Sequence, residues 1–167
     1  MAASGILTSW NELPDLASKL DTPVSSSNIA IKNGALTGGT KYKLQISAQT
    51  PGGTTGSTEY TFETNSPPSG GTCSVDIPSG EALRTKFIFS CSGWTDPEGE
   101  LMYEFKYKMR SGTHVLLYYG QQSSFTGKLP SGEGKENTLT IDVRVSDALH
   151  AANYTTIKVQ VSTSDSV

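Results

Sequence analysis

The chain is sparing with charge, histidine, cysteine and long apolar runs, and each shortage narrows what the protein can be. Of its 167 residues, 17% are charged, with a net charge of −3. That balance carries no basic excess for a phosphate backbone or an anionic membrane, so nucleic acid and direct membrane insertion are set aside as partners. No stretch approaches the roughly 20 apolar residues that a membrane span requires. Met1-Ala-Ala-Ser-Gly5 lacks the basic start and apolar core of a secretory leader, so an extracellular protein opening this way is expected to be a mature or excised piece.

Catalytic groups are equally scarce. His114 lies in a strand-like run and His150 in a loop near Asp147, the ordinary settings of surface and edge histidines. No Gly-x-Ser-x-Gly nucleophile elbow occurs, and no glycine-rich loop follows a strand to open a helix around a phosphate. Asp96, Glu98 and Glu100 share a Pro/Gly turn after Trp94, with Asp15 far off in sequence. Such acids can hold calcium through oxygen ligands, but three in one turn usually make a solvated loop. The reading is no enzyme, no cofactor and no metal.

What the chain does have is glycine, serine and threonine punctuating short alternating runs. The segment Asn65-Ser-Pro-Pro-Ser-Gly-Gly71 reads as a Pro/Gly hinge between two domains. Two cysteines follow at once, each on a short apolar run. Folded antiparallel about Ala82, with Pro78-Ser-Gly80 as the turn, Cys73 opposes Cys91, Val75 opposes Phe89 and Ile77 opposes Phe87. Period-two alternation then sets all six on one face. A disulfide fits there, closing a loop worth roughly 3 kcal/mol. Two free buried thiols are the alternative, whereas a metal site lacks further Cys or His at ligand spacing.

Downstream, Leu101, Tyr103, Phe105, Tyr107 and Met109 alternate with mainly charged residues. Leu139, Ile141, Val143 and Val145 alternate with Thr140, Asp142, Arg144 and Ser146, and Ile157, Val159 and Val161 with Lys158, Gln160 and Ser162. His114 to Tyr119 and Ser124 to Leu129 complete seven strands with the cysteine pair. The expected fold class is all-β: an immunoglobulin-like or fibronectin type III sandwich over residues 72–163. Upstream, residues 28–31, 41–48 and 57–64 are candidate strands, the last two joined by the turn Pro51-Gly-Gly53. Leu13 to Leu20 is a connecting segment with room for one helical turn. Leu36-Thr-Gly-Gly-Thr-Lys-Tyr42 matches a tyrosine corner, whose phenol bonds back to nearby backbone. Tyr42, Leu44, Ile46 and Ala48 would then face inward and Trp10 would sit on an early core strand. About five strands fit in residues 1–64, so this first sandwich is expected to be incomplete. The Pro67-Pro68 joint predicts an elongated tandem.

Aromatics offer a second functional reading. Trp10 and Trp94 can stack on sugars or plug cores, and their strand-forming neighbours favour the core. In Tyr118-Tyr119, alternation must expose one ring of the pair, a candidate partner contact. The sequon Asn153-Tyr-Thr155 is a candidate glycosylation site, and with an even cysteine count it favours an oxidising compartment.

Three blocks together carry a family resemblance: Asn65-x-Pro-Pro-Ser-Gly-Gly-Thr-Cys73, Gly80-x-Ala-Leu-x-Thr-x-Phe87 and Ser90-Cys-Ser-Gly-Trp-Thr-Asp-Pro-Glu98. They resemble the receptor-for-egg-jelly (REJ) module of polycystin-1-type ectodomains and related sperm-surface receptors. Leu101-x-Tyr-x-Phe105, Leu129-Pro-x-Gly132 and Val143-x-Val-x-Asp147 extend the likeness, as do Ser9-Trp10, Leu36 and Gly39-Thr-x-Tyr42 upstream. The resemblance implies tandem fibronectin type III-like sandwiches, a Cys73–Cys91 bridge, and an extracellular or cell-surface role in adhesion, ligand reception or load bearing. Three functions follow: a receptor interaction module with a protein or glycan ligand, a self-assembling subunit whose incomplete first domain accepts a neighbour's strand, and a carbohydrate-binding module.

Overall fold

The computed structural model describes residues 10–97 and 99–163. It divides into two compact units, Met1–Ser66 and Pro67–Val167.

In the first unit, a short 3-10 turn at Leu16–Lys19 leads to a single antiparallel bridge between Leu20 and Ile31. Strands β1 (Lys41–Gln49) and β2 (Thr55–Glu63) then pair antiparallel, from Lys41 opposite Glu63 to Gln49 opposite Thr55. Alternation makes this hairpin two-faced. Tyr42, Leu44, Ile46, Tyr60 and Phe62 share one side. Lys41, Lys43, Glu59 and Glu63 share the other, with Lys43–Glu59 at 3.2 Å and Lys41–Glu63 at 3.9 Å.

The five-strand expectation is corrected here. Among the described residues this unit has two strands and one bridge, and no second sheet of its own. Residues 21–40 hold Pro23, three consecutive serines and repeated Asn/Gly turns but no alternating apolar run, so they cannot supply a ladder. Leu20 is the one buried side chain described in the unit, while Ile46 is 46% exposed and Tyr60 66%. Trp10 is corrected too: it lies in no strand, is 40% exposed, and has the Lys43 ammonium 5.3 Å from its ring centre.

The second unit has the all-β sandwich fold. Its strands are β3 (Thr72–Val75), β4 (Ser79–Glu81), β5 (Phe87–Ser92), β6 (Met102–Lys108), β7 (His114–Gly120), β8 (Ser124–Gly127), β9 (Thr138–Ser146) and β10 (Ala152–Ser162). They form a three-stranded sheet, β3-β5-β8, and a five-stranded sheet, β4-β10-β9-β6-β7. Phe87 and Phe89 from the first sheet and Phe105, Ile141, Val143, Val145, Val159 and Val161 from the second are fully buried between them. Phe125 centres the aromatic part of this core, 5.0 Å from Phe89, 4.9 Å from Phe105 and 5.3 Å from Tyr118, ring centre to ring centre.

Two local readings change. Pairing of the cysteine strands holds for Cys73 with Cys91 and Val75 with Phe89, but stops before Ile77, which is 37% exposed. Asp76 closes the ladder: its N–H donates to the Ile88 carbonyl, and its carboxylate accepts the Ile88 N–H at 2.8 Å. Pro78 follows, without an N–H to continue. The chain then crosses to the other sheet, so Pro78-Ser-Gly80 is no simple turn. Ser79–Glu81 is β4, running parallel to the end of β10, and the Pro78 carbonyl accepts the Gln160 N–H at 2.9 Å.

Candidate functional site

The motif around the cysteines folds into one continuous ladder. Ser69 and Thr95 exchange both backbone hydrogen bonds, at 2.9 and 3.0 Å, and the same register carries on through Thr72–Ser92, Cys73–Cys91 and Ser74–Ser90. Cys73 and Cys91 are disulfide-bonded with their Cα atoms 4.0 Å apart. Pro68 is fully buried, so the ordered second unit begins before residue 72. Trp94 packs against Gly71: a Cβ added there would overlap the indole, clashing with its Cγ, Cδ1 and Cδ2, which explains why this position needs glycine. The Trp94 ring is half-buried against the core, and its Nε1 has no hydrogen-bond partner among the described residues.

Tyr42 forms a local clamp in the first unit. Its phenol oxygen accepts the Thr37 N–H at 2.9 Å, five residues upstream and across the Gly38-Gly39 turn.

The tyrosine pair splits by side. Tyr118 turns inward, stacks on Phe125 and accepts the Gln122 N–H at 3.1 Å. Tyr119 points out and is 55% exposed. A bulge opposite Phe105 and Lys106 lets Leu117 also pack toward the core, without turning Tyr119 inward. Cross-strand pairing sets Tyr119 in a row with Glu104, Arg144 and Tyr154 over β7, β6, β9 and β10. Tyr154 is 69% exposed. Beside this row, Glu104 and Lys106 approach to 2.7 Å, and His114 Nε2 lies 3.3 Å from the Asp142 carboxylate. A shallow depression runs among these residues.

The outward direction of Tyr154 is legible in the sequence. Ile157, Val159 and Val161 face inward, so an even-numbered aromatic on the same strand must face out. Asn153 is exposed at the start of β10, its side-chain oxygen accepting the Tyr154 N–H at 2.9 Å. His150 sits in the β9–β10 turn, where its carbonyl accepts from Arg144. Among the described residues no group of three or more His, Cys, Asp or Glu is placed to hold a metal. Glu98 of the acidic turn lies outside the described residues. Nor is any described helix long and apolar enough to cross a membrane.

A family model described as the REJ domain matches residues 5–166, nearly the whole chain. The chain belongs to the REJ domain family. REJ domains are non-catalytic, receptor-type modules of extracellular polycystin ectodomains, and a disulfide-clipped β-ladder suits that setting. In this REJ chain the Pro-Pro-Ser-Gly-Gly and Cys-Ser-Gly-Trp blocks are the two sides of that single ladder. No curated protein sequence matches the chain.

Proposed function

We propose that this REJ domain is a non-enzymatic interaction module in the extracellular part of a polycystin-like cell-surface receptor, serving adhesion, ligand reception or load bearing. The observation that carries the reading is the family match over residues 5–166. The disulfide between β3 and β5 supports an oxidising compartment. The arrangement of β3-β5-β8 against β10-β9-β6-β7 supports treating the second unit as fibronectin type III-like. On this reading Asn153 carries a glycan.

The contact surface we assign is the outer face of the five-stranded sheet. Exposed aromatics at both ends of a charged row suit a partner protein or glycan, because a tyrosine ring offers apolar area at low entropic cost. The test is binding of the chain, displayed as a dimeric fusion, to arrays of ectodomain proteins and of glycans. A ligand whose binding falls about tenfold or more in both Tyr119→Ala and Tyr154→Ala supports the assignment. Ligand binding that neither substitution weakens would overturn the assigned surface. Absence of glycosylation at Asn153 when the chain is secreted from a glycosylating host would remove that part of the reading.

A further inference from the structure

The hairpin of the first unit is a structural copy of the last hairpin of the second. One constant offset carries Lys41 onto Thr138, Gln49 onto Ser146 and Thr55 onto Ala152, so β1 starts and ends where β9 does and the connecting loops have equal length. The registers agree: Tyr42–Phe62 corresponds to Leu139–Val159, and Leu44–Tyr60 to Ile141–Ile157. The turns agree in their hydrogen bonds. Thr50 Oγ1 accepts the Thr54 N–H at 3.2 Å, as Asp147 Oδ1 accepts the Ala151 N–H at 2.9 Å. Gly53 and His150, at matching places, both have positive φ, 84° and 71°. The closing bonds agree as well, Thr64 N–H to the Thr40 carbonyl and Val161 N–H to the Asn137 carbonyl.

The two hairpins differ in what surrounds them. In the second unit the free side of β9 is occupied by β6, and the apolar face is sealed. In the first unit no described strand lies on the free side of β1, and Ile46 and Tyr60 are exposed. A lone two-stranded sheet is marginal in water, while three or more strands with an apolar face are not.

The strand that fits the vacant place is β1 itself. β6 runs antiparallel to β9 with Tyr103 opposite Val145, Phe105 opposite Val143 and Tyr107 opposite Ile141. A second β1 laid antiparallel in the same place, on a two-fold through Gln45, brings Tyr42 opposite Ala48 and Leu44 opposite Ile46. The large ring again meets the small side chain, as Tyr103 meets Val145. On the polar face the same register sets Lys43 opposite Ser47 and Lys41 opposite Gln49, so no lysine meets a lysine across the axis. We propose that β1 is a homodimerisation edge, at which two copies of this chain form a four-stranded sheet in the order β2-β1-β1-β2.

Sedimentation of the chain at rising concentration tests this, read beside amide exchange over residues 41–49. The expected result is a monomer–dimer equilibrium, with protection of β1 that grows with dimer fraction. Ser47 supplies the register-specific arm. It faces solvent, and across the axis it meets Lys43. Two symmetric like-charge contacts in Ser47→Lys should raise the dimer dissociation constant by roughly 2- to 30-fold, and Ser47→Glu should lower it by a similar factor. A chain that stays monomeric at millimolar concentration overturns the proposal. So does strong β1 protection in dilute monomer, which would mean that another segment fills the place. If both Ser47 variants shift the constant in the same direction, the proposed register is wrong.

Discussion

Reducing the Cys73–Cys91 bridge should cost the second unit about 3 kcal/mol without altering its native fold. The bond closes a loop of 18 residues, and the chain-entropy relation for that length gives roughly 3 kcal/mol. The native side of the balance should scarcely change. Mutual bonds between Ser69 and Thr95 on one flank, and between Asp76 and Ile88 on the other, hold both strands in register whether or not the sulfurs are joined. The loss therefore sits in the unfolded ensemble, which gains freedom and exposed surface once released. Urea unfolding followed by Trp94 fluorescence, with and without a strong reductant, measures it directly. For a unit of about a hundred residues with m near 1–3 kcal/mol/M, the midpoint should fall by about 1–3 M and m should rise. A loss below about 1 kcal/mol, or two titratable thiols in the unreduced protein, would refute the reasoning.

Equivalent positions on the two hairpins should respond unequally: Ile141→Ala should cost about 2–5 kcal/mol, while Leu44→Ala in the monomer should cost under about 1, as urea titration of each unit can show. Gly71→Ala drives a methyl into the Trp94 ring and should destabilise the second unit by about 1–3 kcal/mol, with a shifted tryptophan emission as its spectral mark. Tyr42→Phe removes the acceptor for the Thr37 N–H, so exchange at that amide should accelerate about tenfold while the second unit is unchanged. Burial raises the Tyr103 phenol above its ordinary 10.0. The unfolded phenol ionises first, so stability holds below about pH 10 and is lost as pH rises from there toward the folded value. Tyr103→Phe should flatten that part of the alkaline limb in pH-dependent unfolding.

Alternation alone carried most of the second unit. A period-two pattern assigns faces without knowledge of the partner strand, so the inward sets on β5, β9 and β10, that on β6 as far as Tyr107, and the pairing of Cys73 with Cys91 were readable from residue order, whereas Met109 lies past the end of β6 and is 45% exposed. The split of Tyr118 from Tyr119 followed from the same rule. What residue order left undecided is where a strand goes after its turn. Pro78-Ser-Gly80 has turn composition, yet the chain there crosses to β10, because Asp76 and Pro78 end one ladder while the unpaired end of β10 offers another. Nor does composition tell a buried apolar face from a bare one. Leu44 and Ile141 sit at matching places in matching hairpins with the same alternation, and only the β3-β5-β8 sheet over one of them makes it core. Trp10 shows the same limit, since its expected burial needed a neighbouring sheet. Periodicity is a property of one strand and was legible in the sequence; burial is a property of two layers, and the tertiary structure decided it.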